Sequence, residues 1–331
     1  MKKLNVAIVG ATGMVGRTFL KVLDERNFPI ENLYCFASKK SEGSIIKYRG
    51  KEIIVEELKE DSFDRDIDIA LFSAGGETSL KFSPIAASKG VIVIDNSSAF
   101  RMDPEVPLVV PEVNPDDIFK HKGIIANPNC STIQAMVALK PLHEKYGIKR
   151  IVYSTYQAVS GSGVKGMKDL EEGLKGKELN LAYPHSIANN CLPHIDVFME
   201  NGYTKEEMKM VNETKKILGD DSLKITATAV RVPMFKCHSE SINVELKKEF
   251  SIEEIKESFE KFDGIVLRDD PSNNIYPLAT EAVDTDEVYI GRIRRDFSVE
   301  NGINIWVVAD NVRKGAASNA VQIAEKIAIN M

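Results

Sequence analysis

The chain has 331 residues, 43% of them hydrophobic and 28% charged, the proportions of a globular protein with a real core. That length suggests two domains, or one large α/β unit carrying an inserted domain. A formal net charge of -6 argues against a nucleic-acid partner. No stretch approaches the ~18 apolar residues of a membrane span, and the apolar run at the N-terminus is too short for a signal peptide. A reducing, cytoplasmic setting is therefore expected. Cys35, Cys130, Cys191 and Cys237 are far apart and form no Cys-x-x-Cys pair, so neither a metal site nor a disulfide framework is signalled.

Leu4–Val9 reads as an apolar strand. Gly10-Ala11-Thr12-Gly13-Met14-Val15-Gly16 follows, and Phe19, Leu20, Val22 and Leu23 continue an amphipathic helix. Strand, glycine turn and helix in that order form a dinucleotide-binding entry of spacing G-x-x-G-x-x-G. The plain alternative is a glycine-rich turn that holds nothing. The next strand, Leu33–Ala37, ends in Ser38-Lys39-Lys40-Ser41 with no acid at its carboxyl end to hold ribose hydroxyls. Hydroxyl and ammonium groups there suit a 2′-phosphate and predict NADP; a solvated basic loop is the alternative. A third strand, Ile67–Phe72, leads into a second glycine turn at Gly75 and Gly76. A fourth, Val91–Ile94, leads into a loop ending at Arg101. Repeated alternation of strand and helix predicts a doubly wound parallel sheet.

Ile124–Ala126 runs into Asn127-Pro128-Asn129-Cys130-Ser131-Thr132-Ile133-Gln134, and Ile133, Met136, Val137, Leu139 and Leu142 continue at helical spacing. Pro128 disfavours helix at Asn127, and Asn129 can cap, so Cys130 falls at a helix N-terminus. Free N–H groups and the helix dipole favour a thiolate there and could hold an oxyanion. A buried structural cysteine is the alternative. Beyond this helix the texture changes. Arg150–Ala158 alternates like a strand of a different sheet and ends in a flexible Gln157–Gly163 turn. Lys168–Leu174 is a charged helix and 183–196 is irregular, with His185 and His194 read as structural. Lys205–Leu218 is helical, with Glu213 and Lys216 on one face, by default a surface ion pair. Ile225–Val232 and Ser241–Leu246 are strands, and Arg231 and His238 bracket the proline turn between them. Ile252–Phe262 is an exposed helix, Tyr289–Arg294 and Asn304–Ala309 are strands, and Ala316–Ile329 is an Ala-rich last helix.

A thiolate, a histidine, several cations and a dinucleotide fold are the equipment of a phosphorylating aldehyde dehydrogenase. Across nearly its whole length the chain resembles the aspartate-semialdehyde dehydrogenase family. The resemblance lies in Asn127–Gln134, Gln157–Gly163, 212–216, Arg231 with His238-Ser239-Glu240-Ser241, 291–296 and Asp310–Ala317. It implies Cys130 as nucleophile, His238 as acid/base and Gln157 as the residue positioning the reacting groups. Arg231 would hold the substrate carboxylate and Glu213 its ammonium; Arg101, Asn129 and Lys216 would hold phosphate. Gly10, Thr12, Gly13, Met14, Val15, Gly16, Ser38, Lys40, Ser41, Gly75, Ser160, Gly161 and Asn311 would contact NADP. Where the family carries Ser-Ala-Arg-Ser, this chain has Ser38-Lys39-Lys40-Ser41, a point charge in place of a fork. The implied reaction converts aspartyl phosphate to aspartate semialdehyde and inorganic phosphate, on the route to lysine, threonine and methionine.

The nearest rival is an N-acetyl-glutamyl phosphate reductase, which has no free ammonium and no need of Glu213. A non-catalytic NADP-binding protein is further off, because it gives no reason for Cys130, Arg231 and His238 to occur together. No tyrosine has a lysine four residues later, which disfavours a short-chain reductase. The expected architecture is a Rossmann-type domain, residues 1–130 plus 311–331, with an α+β catalytic and dimerisation domain on a mixed sheet at 131–310. A homodimer or tetramer is expected.

Overall fold

The computed structural model describes residues 2–330. Its elements run β1 (Leu4–Val9), α1 (Met14–Glu25), β2 (Ile30–Ala37), β3 (Ile45–Tyr48), β4 (Lys51–Glu57), β5 (Ile69–Phe72), α2 (Gly76–Ser88), β6 (Ile92–Asp95) and β7 (Ile124–Ala126). They continue with α3 (Cys130–Tyr146), β8 (Ile148–Gln157), α4 (Gly163–Leu174), α5 (Lys205–Leu218), β9 (Lys224–Arg231), β10 (His238–Leu246), α6 (Ile252–Glu260) and β11 (Ile265–Leu267). The last are α7 (Ala279–Ala282), β12 (Val288–Asp296), β13 (Gly302–Ala309) and α8 (Ser318–Asn330). By internal contacts the chain divides into two units, one up to Asn129 plus the residues from Ala316, the other Cys130–Gly315.

The first unit holds a seven-stranded sheet in the order β3-β4-β2-β1-β5-β6-β7. Every neighbouring pair is parallel except β3 with β4. β1 and β5 are almost wholly buried, so they read as continuous apolar runs rather than alternating ones. Phe19, Leu20, Val22 and Leu23 of α1 and Ala320, Val321, Ile323, Ala324 and Ile327 of α8 pack into one core with β1. The β3–β4 hairpin was not foreseen from the sequence. Its exposed Ile45 and Ile54 pair across the edge of the sheet, so it lacks the polar–apolar alternation that betrays a strand.

The second unit is built on a six-stranded mixed sheet, β11-β12-β13-β10-β8-β9, in which β8 pairs parallel with β9 and antiparallel with β10. α3 is buried on nearly every side and packs on this sheet beside α5 and α6. α5 is fixed at both ends by local chemistry. Thr204 and Glu207 form a capping box at its start, and Gly219 ends it in the left-handed conformation. Short β11 was missed, and several expected boundaries shift. β10 begins at His238 rather than Ser241, and α4 begins at Gly163 rather than Lys168. Among the described residues, no helix is long and apolar enough to cross a membrane.

Candidate active site

The register of the second sheet sets out the site. Gln157 is opposite Arg231, where β8 and β9 both end. β10 starts at His238, whose neighbour Ser239 is opposite Tyr156, and β13 ends at Ala309 opposite His238. Gln157, Arg231, His238 and the start of the Asp310–Gly315 loop therefore share one end of one sheet, although they are widely separated in sequence. All three side chains are buried: Gln157 is 1% exposed, Arg231 4% and His238 0%.

Gly161 shows how close they come. A Cβ placed on it would lie 2.7 Å from Arg231 Nη1 and 3.3 Å from His238 Nε2. Arg231 Nη1 donates to the Ala158 carbonyl at 2.7 Å, and its guanidinium stands 5.9 Å from the Tyr183 ring centre. Its Nε is buried without a partner. His238 Nδ1 accepts the Ala158 N–H at 3.0 Å, which puts the proton of the neutral ring on Nε2, an atom with no partner of its own. Burial and the adjacent Arg231 charge hold this imidazole well below the ordinary histidine range, and the Cys237 backbone opposes them. Gln157 donates through Nε2 to Thr155 Oγ1 and Glu206 Oε1, each at 3.2 Å. Glu206 in turn meets Lys209, which also binds Asp196.

Cys130 is the first residue of α3, half-buried, and no acid lies in that helix's first turn. Its backbone is backed by Gly315, where a Cβ would come 2.8 Å from the Cys130 Cβ. The Gly315 turn is held by Asp310, whose carbonyl accepts the Gly315 N–H and whose carboxylate accepts from Val312 and Arg313. The other cysteines fall into two kinds. Cys35 and Cys237 are buried, which pushes the Cys35 thiol up to about 12 and Cys237 also upward; Cys191 is exposed. Only Cys130 joins partial access to a helix N-terminus.

Glu213 is 1% exposed on α5, so it is a buried carboxyl and not the surface group expected by default. Lys216, one turn on, is partly exposed. Asn311 Oδ1 accepts from Ser160 Oγ at 3.0 Å and from the Cys237 N–H at 3.1 Å, which joins the Gln157–Gly163 turn to the last loop. The irregular 183–196 segment, given no role from sequence, pairs with Arg231 through mutual Leu192 backbone bonds and supplies Tyr183. Gln134 and Glu240 lie inside two of the matched segments but carry no role there, because buried polar residues inside regular elements have no spacing signal.

In the first unit, Gly10 has φ +88°, and a Cβ there would lie 2.3 Å from the Ser73 carbonyl oxygen. The turn is tied to β2 by Gly10 and Ala11 N–H bonds to the Phe36 carbonyl. α1 begins with no side-chain cap and no acid in its first turn, leaving its N–H groups for an anion. Thr12 Oγ1 lies 3.4 Å from Ser41 Oγ, so the glycine turn and the Ser38–Ser41 loop are neighbours, with Lys39 and Lys40 exposed beside them. These features fit a dinucleotide carrying an extra phosphate. Gly75 opens α2 with φ +88°. Arg101 is 7% exposed and donates to the carbonyls of Asn127 and Asn96. Asn129 is likewise buried.

Comparison with known proteins agrees with both units. Residues 5–121 match the semialdehyde dehydrogenase NAD-binding domain family, and residues 139–314 match the semialdehyde dehydrogenase dimerisation domain family. The aspartate-semialdehyde dehydrogenase of Aquifex aeolicus is 60% identical over 97% of this chain and 96% of its own length. A Vibrio cholerae aspartate-semialdehyde dehydrogenase II crystallised as a complex with ASA superposes with a TM-score of 0.96 at 49% identity, covering 100% of this chain and 99% of that one. A Candida albicans aspartate-semialdehyde dehydrogenase solved with NADP superposes with a TM-score of 0.79 at 26% identity, over 99% of each chain.

Proposed function

The chain belongs to the aspartate-semialdehyde dehydrogenase family, whose members carry out the phosphorylating reduction of aspartyl phosphate in amino-acid biosynthesis, and we propose that Cys130 is its nucleophile and NADP its preferred cofactor. The observation that carries this reading is the convergence of Gln157, Arg231 and His238 at one end of the sheet on which the Cys130 helix lies.

In the reductive direction the Cys130 thiolate attacks the carbonyl carbon of the acyl phosphate. A C–S bond forms, the C–O bond to phosphate breaks, and inorganic phosphate leaves. Amide N–H groups at the start of α3 stabilise the oxyanion of that step. Bound NADPH supplies hydride to the resulting thioester carbon. His238 gives a proton to the carbonyl oxygen and then takes it back as the C–S bond breaks, releasing the semialdehyde and the thiolate. Without substrate, burial and the adjacent Arg231 charge hold the ring neutral, and the Cys237 backbone acts the other way. Arg231, with a free Nε inside the site, binds the substrate carboxylate, and buried Glu213 binds the ammonium. Arg101, Asn129 and Lys216 bind phosphate.

The Gly10–Gly16 turn, Thr12, Ser38, Lys40 and Ser41 hold the nucleotide, with Gly75, Ser160, Gly161 and Asn311 as further contacts. The match to a dimerisation domain supports a homodimer. Sedimentation of the purified chain distinguishes that dimer from a tetramer. Cys130→Ala tests the central assignment: turnover of aspartate semialdehyde with phosphate and NADP falls by roughly 10⁴-fold or more while NADP binding persists. Turnover within tenfold of wild type overturns it.

A further inference from the structure

Beneath the site lies a polar pair that the reaction does not use. Glu240 is 0% exposed, two residues beyond His238 on the same face of β10, and neither of its carboxyl oxygens has a hydrogen-bond partner. Gln134 is also 0% exposed, one turn beyond Cys130 on α3, and its Oε1 is without a partner. The Gln134 side chain lies beside the Glu240 carboxyl, and its Nε2 donates to the His238 carbonyl at 3.4 Å. The other ionisable groups acting on Glu240 are Glu206 and Tyr153, neither of them a cation.

An ionised carboxylate in such a place has lost its water and gained no counter-charge, the arrangement proteins avoid most strongly. Burial holds the Glu240 carboxyl well above the usual carboxylate range; the Gln134 side chain acts against this and the like charge of Glu206 adds to it. A neutral carboxyl, by contrast, has one O–H to give, and Gln134 Oε1 is an acceptor with nothing to accept. One proton satisfies both orphaned groups.

We propose that Glu240 keeps its proton and donates it in a hydrogen bond to Gln134 Oε1, making the pair a positioning device that ties the Cys130 helix to the His238 strand. The bond fixes which way round the Gln134 amide stands. With Oε1 taken by Glu240, Nε2 must point to the His238 carbonyl, and the first turn of α3 is held at a set height along β10. The functional half of this inference rests on Cys130 and His238 being the reacting pair; the protonation half does not.

The test uses the full-length enzyme and three variants. Glu240→Gln keeps a neutral donor of similar shape, Glu240→Leu removes the donor, and Gln134→Leu removes the acceptor. At neutral pH, the infrared spectrum of wild type minus Glu240→Gln shows the carbonyl band of a protonated carboxyl. Glu240→Leu and Gln134→Leu lower kcat at least tenfold with KM within about threefold, and shift the pH dependence of Cys130 alkylation by iodoacetamide. Glu240→Gln restores both to within about threefold of wild type. Absence of the protonated-carboxyl band overturns the assignment whatever the kinetics. Leucine variants that keep the wild-type kcat and alkylation profile, or a Glu240→Gln as impaired as Glu240→Leu, overturn the positioning role and leave the protonation state standing on the infrared result. If the leucine variants fail to fold, the infrared band and the Glu240→Gln kinetics still decide.

Discussion

In the first unit, what is offered to a nucleotide is mostly backbone: a turn at Gly10 pressed against Ser73, and the uncapped amides of α1. In the second unit the pocket is almost entirely side chain, gathered from the ends of three strands and the start of a helix, and nine-tenths buried except at Cys130. As proposed, the first surface recognises charge and shape that many nucleotides share, and its selectivity falls to a few exposed groups on the Ser38–Ser41 loop. The second orients individual atoms in low dielectric, where an unpaired donor such as Arg231 Nε or His238 Nε2 is costly until substrate arrives. A site of the first kind is sensitive to an added Cβ, and one of the second kind to any change of functional group.

Substitutions can break this contrast. After Cys130→Ala, the largest effect is expected from His238→Gln, which lowers kcat by about 10²–10⁴-fold and leaves NADP affinity unchanged. It also alters stability against pH. The folded-state pKa of His238 lies below the unfolded value, so at pH below about 6.5 the unfolded chain takes up a proton that the folded chain refuses. The stability from this residue is full above about 6.5 and is lost as pH falls through the folded value. The drop in Tm on acidification is therefore smaller in His238→Gln. Gly10→Ala is next. Left-handed backbone and a clash with the Ser73 carbonyl cost about 1–3 kcal/mol, read as a lower Tm and at least tenfold weaker NADP binding, with the Cys130 alkylation rate unaltered. Gly161→Ala, whose new methyl displaces the Arg231 guanidinium, raises KM for the semialdehyde about tenfold, or about 1.4 kcal/mol, and changes kcat less. Lys40→Ala is the smallest: the kcat/KM ratio of NADP to NAD falls roughly 3–10-fold, since an exposed point charge contributes little. An unchanged ratio would place selectivity in the hydroxyls of Ser38 and Ser41.

The two regions also differed in how far the sequence disclosed them. Gly10–Gly16 could be read directly, because backbone geometry constrains residue type at fixed spacing over a few positions. Cys130 could be placed because Pro128, Asn129 and an apolar strand bracket it. Local pattern could not bring Gln157, Arg231 and His238 together, since their meeting is set by strand register; the family resemblance named them, and the register shows why they meet. Glu213 had a surface reading that burial removes, and Arg101 and His238 are buried as well. Nothing local gave a role to Gln134, Glu240 or Tyr183, whose importance comes only from what tertiary packing puts beside them. The β3–β4 hairpin stayed hidden because its isoleucines face outward at a sheet edge.

The contact between Gly315 and Cys130 bears on how the enzyme is made. The sulfur-bearing residue leaves the ribosome before most of the second unit exists, and the glycine that backs it emerges only when that unit is nearly finished. A nascent chain thus carries Cys130 long before it has the wall that Cys130 rests against. The finished geometry is assembled only once Gly315 has been made, and a premature stop ahead of Gly315 yields a thiol without its seat.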